Sequence, residues 1–465
     1  MKLKKVTYIF LIVSMLACNF VTNMVFPPPT ATPVPTATLT VTASPTATLE
    51  PLKASYIPPQ CQGVVPATVS PETILAQPTS EVPPNTEISQ DMQLEIFENM
   101  TSLITDVYLY PDFNGKDWEG IVAKYRADVE AGLSTEEFYF AMENMVMDLG
   151  DEHSSFQPPI VVEELNSELA GENEFVGVGI YIQPQMDKEQ VTLISVMPNS
   201  PAEYSGLRAH DVILTVDDHP IVKDGELFIN LVRGLECSAT VLTVKSPGEE
   251  ARKVMLIRER IQGPANIEAR LVPTTDGSRI GYIFIPTFFD RTIPRQIEDA
   301  LNEFGVLDGL ILDNRMNGGG SSDVVEPILS FFTAGTLGSF VSRHESHPFV
   351  INPDSVNFSQ DVPLVILVGE GTASFGEIFS GALQDNGRAK IVGQTTMGNV
   401  ETLHGYGFDD GSRIWIAEEK FDPAVSHANW EETGIIPDVE AFADWDTFVF
   451  ETDPAILAAL TLLGH

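Results

Sequence analysis

The chain has 465 residues, 43% of them hydrophobic, which suits two or three folded units better than one ordinary core. Asp and Glu number 66 against 26 Lys and Arg, a formal net charge of −40 at pH 7. No basic cluster follows the first few residues, so nucleic acid, which is bound through a cationic face, is not an expected partner; the acidic surplus reads as a solvated surface.

Lys2, Lys4 and Lys5 precede an apolar run from Val6 to Ala17, the charge and length pattern of an export signal and too short to span a bilayer comfortably. The run ends in Met15-Leu16-Ala17-Cys18, similar to a bacterial lipobox, with Met15 an imperfect first residue. Residues 1–18 therefore read as a signal peptide, with Cys18 the residue that would carry lipid and hold the protein at the outer face of the cell membrane; without lipid it would be secreted. Residues 26–87 read as a linker, rich at first in Pro, Thr and Ala, whose composition favours extended, semi-rigid chain. Cys61 and Cys237 remain, either paired in an oxidising compartment or buried as thiols; spacing does not decide between the two.

Residues 88–166 are expected to form a helical part. Leu94, Phe97, Met100, Leu103, Ile104 and Val107 recur at helical steps. A further helix opens at Ser134-Thr135-Glu136-Glu137, with Thr135 as its N-cap, and stops at Gly150-Asp151. A turn carrying Glu152-His153-Ser154-Ser155-Phe156 follows, and Pro158-Pro159 is expected to keep the helix from resuming. Residues 167–260 have the texture of short strands and turns: strands over 176–182, 191–196, 212–216, 241–244 and 253–257, a short helix after Ser200, and a helical stretch over 225–232. In residues 261–465, fully apolar runs over 280–285, 309–312 and 363–368 alternate with helical patterns over 294–304, 322–332 and 375–383. That is the pattern of a mostly parallel sheet covered on both faces, whose sites lie beyond the carboxyl ends of the strands.

Two loops lie at such ends. Asp313-Asn314-Arg315-Met316-Asn317-Gly318-Gly319-Gly320 could turn backbone N–H groups toward an anion or a developing oxyanion, and it lacks the Lys-Ser/Thr of a phosphate loop. In Gly369-Glu370-Gly371-Thr372-Ala373-Ser374-Phe375-Gly376-Glu377 small residues bracket Ser374 where strand gives way to helix. There a hydroxyl can be exposed beside the Phe375 N–H, although a serine at that place is also an ordinary helix cap.

Residues from about 90 to 450 resemble the C-terminal processing peptidases (S41 serine peptidases). Leu149-Gly150-Asp151-Glu152-His153-Ser154 is similar to the family's Gly-Asp-x-His-Thr, and Gly206 to Ile213 to its PDZ segment Gly-Leu-x-x-Gly-Asp-x-Ile. Leu312 to Gly319 is similar to Asp-Leu-Arg-x-Asn-x-Gly-Gly, and Thr372 to Arg388 to the nucleophile segment Ser-Ala-Ser-x-x-Glu-Ile with the helix after it. The resemblance implies an α/β, crotonase/ClpP-like catalytic core with an inserted PDZ domain and a helical N-terminal part, acting on peptide bonds near protein C-termini without metal or cofactor. It implies Ser374 as nucleophile, N–H groups of Gly318 or Gly319 and of Phe375 as the oxyanion hole, and a turn at Val178, Gly179 and Ile180 that receives a substrate's free C-terminus as an added strand. A PDZ fold that only supports the core is the alternative reading of that turn.

One departure bears on mechanism. The main branch uses a Ser/Lys dyad, and Asn399 stands where its Lys would be, with Leu403 at the place of a Gln. Asn cannot take a proton from a serine, which needs a base beside it. A tricorn-type branch uses Ser, His and Glu, and by that resemblance His153 is the base and Glu431, with Glu432 second, orients it. That branch has a Ser before its His, where Glu152 stands here. Lys390 and Lys420, the lysines that follow Ser374, lack a motif around them; His344 and His347 read as surface residues rather than a metal pair; Asp385 and Arg388 read as supports of a helix end. The competing readings are a pseudopeptidase that binds protein tails through its PDZ domain and a binding protein for apolar ligands. Oligomeric state is not legible.

Overall fold

The computed structural model describes residues 54–64, 87–151, 153–169, 174–262 and 265–465. The signal peptide, Cys18, most of the Pro/Thr-rich linker and Glu152 lie outside the described residues. The chain forms two compact units: one built on Phe175–Ile261 with the segment 54–64, the other on residues 87–174 joined to 262–465. Among the described residues no helix is long and apolar enough to cross a membrane.

In chain order the larger unit begins with α1 (Gln90–Val107), α2 (Trp118–Ala131) and α3 (Thr135–Met147), followed by β1 (Ser155–Gln157) and α4 (Pro159–Leu169). Ser134, not Thr135, caps α3: its hydroxyl accepts from the Glu137 N–H while the Glu137 carboxylate accepts from the Ser134 N–H, because only the residue before the first helical one can reach back to that third N–H. Pro159 starts a helix instead of preventing one, since proline at the first helical position loses an N–H that would have had no partner there. Residue 167 therefore lies inside α4, and the other unit starts at Phe175.

In the smaller unit, β2 (Ile180–Gln185), β3 (Gln190–Val196), β4 (Val212–Val216), β5 (Ala239–Lys245) and β6 (Arg252–Ile257) form an antiparallel sheet in the order β6-β5-β4-β3-β2. It packs over a core that includes Val191, Leu193, Ile213, Leu242 and Leu256. The run over 176–182 is not one strand, because Gly179 turns the chain at φ +82 before β2 begins. Residues 225–232 are not a helix either. Asp224 and Gly225 both have positive φ and close a hairpin between Val222–Lys223 and Glu226–Leu227, which leaves a single 3-10 turn at Ile229–Leu231. Cys61 and Cys237 are joined by a disulfide, and Tyr56 stacks on Tyr204 with ring centroids 4.3 Å apart, so the segment 54–64 is docked on this unit.

The larger unit resumes with β7 (Glu268–Val272), β8 (Ile280–Phe284), α5 (Ile293–Phe304), β9 (Gly309–Asp313) and α6 (Ser322–Phe332). It continues through β10 (Gly335–Val341), β11 (Ser346–Ile351), β12 (Leu364–Val368), α7 (Phe375–Asp385) and β13 (Lys390–Gly393). Then come β14 (Thr402–Gly407), β15 (Arg413–Pro423), α8 (Trp430–Thr433), β16 (Val439–Glu440) and α9 (Pro454–Leu462). The main sheet has the order β7-β8-β9-β12-β13-β16, parallel from β8 onward. Every residue of β8, β9 and β12 is buried, as their unalternating apolar runs require. A second, antiparallel sheet, β1-β15-β10-β11 with β14 on β15, zips Ser155–Gln157 to Trp415–Arg413 and so ties the segment after α3 to the later strands.

Candidate active site

The loops after β9 and β12 are tied together by buried bonds. Asn314 Nδ2 donates to the Gly376 carbonyl and to Ser380 Oγ, both at 2.9 Å, Thr372 Oγ1 donates to the Asn314 carbonyl at 2.8 Å, and the Ala373 N–H donates to the Asn317 carbonyl at 3.1 Å. Arg315 grips Asp313 through two nitrogens and reaches Asp453 at 2.7 Å, anchoring the first loop to the start of α9. Between these loops Ser374 sits at φ +53 and ψ −128, a backbone state that L-residues rarely adopt, and its hydroxyl caps nothing. Gly319 lies so close that a Cβ there would stand 2.7 Å from Ser374 Cβ and 3.1 Å from the Phe375 nitrogen. The Gly319 N–H, however, donates to Asn317 Oδ1 at 2.9 Å and is already engaged.

His153 is held from the other direction. Asp151 accepts from the N–H groups of His153 and Ser154 and from Ser154 Oγ, and the same Oγ accepts from the Ala417 N–H of β15 at 3.0 Å. The His153 ring is buried, and its Nε2 lies 2.9 Å from Glu431 Oε1 and 3.8 Å from Glu401 Oε2. Glu431 stands in the first turn of α8, whose Trp430 stacks on Phe421 with centroids 5.6 Å apart. Its second oxygen accepts from the N–H groups of Val400 at 2.8 Å and Glu401 at 3.2 Å. Glu401 Oε1 accepts from the Tyr110 hydroxyl, while Oε2 is buried without a hydrogen-bond partner.

The two halves meet on one short segment. The Asn399 carbonyl accepts from the Ser374 N–H at 2.6 Å, and the next two N–H groups hold Glu431. Among the described residues no hydrogen bond joins the Ser374 hydroxyl to the His153 ring. Buried Glu377 accepts from the N–H groups of Gly398 and Asn399, both at 2.8 Å, and from the Thr396 hydroxyl. Burial would push the His153 imidazolium down, but Glu431, Glu401 and Asp151 outweigh it and hold the ring up to about 9. Burial raises Glu401 to about 7 against the pull of His153 and Tyr110, and Glu377 to about 7 against its three donors.

Residues 279–441 match peptidase family S41, residues 178–249 a PDZ domain and residues 91–147 the tricorn protease C1 domain. The chain is 30% identical over 371 residues to a carboxyl-terminal-processing protease of Synechocystis sp., covering 78% of this chain and 84% of that one. It is 31% identical over 386 residues to the protease of that name from Picosynechococcus sp., covering 80% and 89%. The chain belongs to peptidase family S41. Members of this family of carboxyl-terminal-processing proteases are serine peptidases, and the fold agrees: the photosystem II D1 C-terminal processing protease superposes with a TM-score of 0.52 at 25% identity, over 79% of this chain and 97% of that one.

In this S41 peptidase the other residues singled out in the sequence are accounted for structurally. Glu432, beside Glu431, points to solvent. Lys390 pairs with Asp438 at 2.7 Å on the surface, and Lys420 is exposed on β15. His347 and His404 both contact Glu419, at 3.3 and 2.8 Å, and His344 faces the Asp106 carbonyl. Asp385 accepts from the N–H groups of Val425 and Ser426, and Arg388 donates to three carbonyls, of Phe332, Ser359 and Val362. In the PDZ unit the Val178 carbonyl accepts from the Ala202 N–H and the Gly179 carbonyl from the Met197 N–H; a Cβ on Gly179 would stand 2.3 Å from Ser200 Cβ. Sequence reasoning missed Glu401 and Tyr110. No local pattern marks either residue, because Tyr110 and His153 come to Glu401 only through tertiary packing.

Proposed function

We propose that this protein is an extracytoplasmic serine endopeptidase that cleaves near the carboxyl termini of protein substrates, using Ser374, His153 and Glu431 where the family's main branch uses serine and lysine. The 2.9 Å bond between His153 and Glu431, 278 residues apart in sequence, carries the reading, because it supplies the base that Asn399 cannot. Glu431 takes Nε2, so Nδ1 is the nitrogen left to accept the Ser374 proton. Ser374 Oγ attacks the scissile carbonyl, the proton passes to Nδ1, and Glu431 stabilises the imidazolium. The N–H groups of Gly318 and Phe375 receive the oxyanion, with Gly319 leaving room for it. Nδ1–H then protonates the leaving amine, and water, activated by the same nitrogen, releases the acyl group from Ser374. Export follows from residues 1–18, with lipid on Cys18 as the anchor, and tails are received at Val178, Gly179 and Ile180.

A second reading, a pseudopeptidase that only binds tails, draws on Asn399 and on an imidazole that stays charged at neutral pH. A fluorophosphonate probe separates the two. The peptidase labels, Ser374→Ala does not, and His153→Ala labels far more slowly. A wild type that stays unlabelled even at about pH 10, where a base of this raised pKa would be free, while still binding tail peptides, would sink the triad.

A further inference from the structure

The site holds more acid than a triad needs. His153, Glu401 and Glu431 each present a ligand atom, and these atoms lie within 4.8 Å of one another. A charged His153 ring can offset only one of the two carboxylates, so the buried grouping has room for a further positive charge. Glu401 Oε2 makes the point most directly: it is buried, has no hydrogen-bond partner, and lies 3.8 Å from His153 Nε2. We propose that His153, Glu401 and Glu431 bind one divalent cation of the zinc class, and that its occupation makes the peptidase latent.

The geometry favours such an ion. Zinc bonds nitrogen and carboxylate oxygen at roughly 2.0–2.2 Å, which sets neighbouring ligands about 3.4 Å apart in a tetrahedral site. The Nε2 to Glu431 distance of 2.9 Å would open, and the Nε2 to Glu401 distance of 3.8 Å would close, by about half an ångström. Each carboxylate is steadied through its other oxygen, Glu401 by the Tyr110 hydroxyl and Glu431 by the Val400 and Glu401 N–H groups, as ligands around a bound metal commonly are. His347, His404 and Glu419 offer a contrast. There two half-exposed imidazoles share one buried carboxylate whose oxygens are both engaged, which leaves no carboxylate oxygen free for an ion.

Latency follows from the tautomer and rests on the triad proposed above. A neutral imidazole that binds metal through Nε2 carries its proton on Nδ1, so Nδ1 cannot accept another from Ser374. The cation also draws Glu431 into its own shell.

The test uses the full chain, stripped with chelator and titrated with zinc chloride against a fluorescent zinc chelator. Wild type is expected to bind one zinc ion, Glu401→Gln at least about tenfold more weakly, and His347→Ala/His404→Ala as wild type does. Thermal melts confirm that each variant is folded, and Glu401→Ala stands in if the glutamine variant is not. Zinc is further expected to slow fluorophosphonate labelling of wild type at least about tenfold, reversibly with EDTA, while labelling of Glu401→Gln does not respond. Equal zinc binding by wild type and both Glu401 variants, or binding lost in the surface histidine variant instead, overturns the site and leaves the triad standing. Glu401-dependent zinc binding with labelling that ignores the metal keeps the site and overturns both latency and the triad.

Discussion

Around Ser374 the loops are stitched mostly by backbone groups and neutral side chains, with charge confined to the Arg315 anchor and Glu377. Around His153, by contrast, three carboxylates, two of them from far along the chain, surround one ring. The first half is a pair of strand-end loops stitched by Asn314, Thr372 and Ala373. The second depends on Asp151, Glu401 and Glu431 around one imidazole. A nucleophile needs a fixed position, which backbone bonds supply. A base needs a tuned proton affinity, which only nearby charge supplies. The two halves should therefore fail differently when broken.

The largest effect belongs to Ser374→Ala, which should abolish peptide hydrolysis and probe labelling by at least about 10⁴-fold with an unchanged circular dichroism spectrum. Next, His153→Ala should slow labelling by about 10²- to 10⁴-fold. The comparison breaks if the alanine at 153 labels as fast as wild type, for the charged half would then be scenery.

A subtler consequence concerns pH. The His153 pKa is raised from its ordinary value of 6.5 to about 9, so the His153–Glu431 pair contributes stability that is fully present below about 6.5 and is lost as pH rises through about 9. Over the same window the neutral imidazole appears. Labelling should thus accelerate toward pH 9 while the urea midpoint declines. Glu431→Gln removes the main group that raises the ring, so its weaker labelling should reach its plateau at lower pH. A wild-type plateau already complete at pH 7 would show that the carboxylates do not govern the base.

Legibility in the sequence divides along the same line. The strands ending at Asp313 and Val368 and the helices starting at Ser322 and Phe375 follow from local apolar periodicity, and the loops after those strands follow from the strand ends. The pairing of His153 with Glu431 could be read only through a family resemblance, because nothing local links positions so far apart. Glu401 had no signal of its own: its partners Tyr110 and His153 reach it through the second sheet, whose pairing of β1 with β15 no short window contains. The start of α4 was hidden by a proline pair that reads as a stop, although the first helical position accepts proline.

The smallest predicted effect separates the halves by stability alone. Ser374 holds a positive φ of 53 that glycine adopts freely and an L-residue adopts at a cost of about 1 kcal/mol. Ser374→Gly should remove that cost and raise the urea midpoint by the equivalent of about 1 kcal/mol while ending activity, and Ser374→Ala should gain nothing because it keeps the Cβ. Glycine at His153 should lower stability through the lost buried ring and its bond to Glu431. Opposite signs for the same substitution would place backbone strain at Ser374 and electrostatic tension at His153. A destabilising Ser374→Gly would mean that the Ser374 hydroxyl, not the turn around it, holds the loop in place.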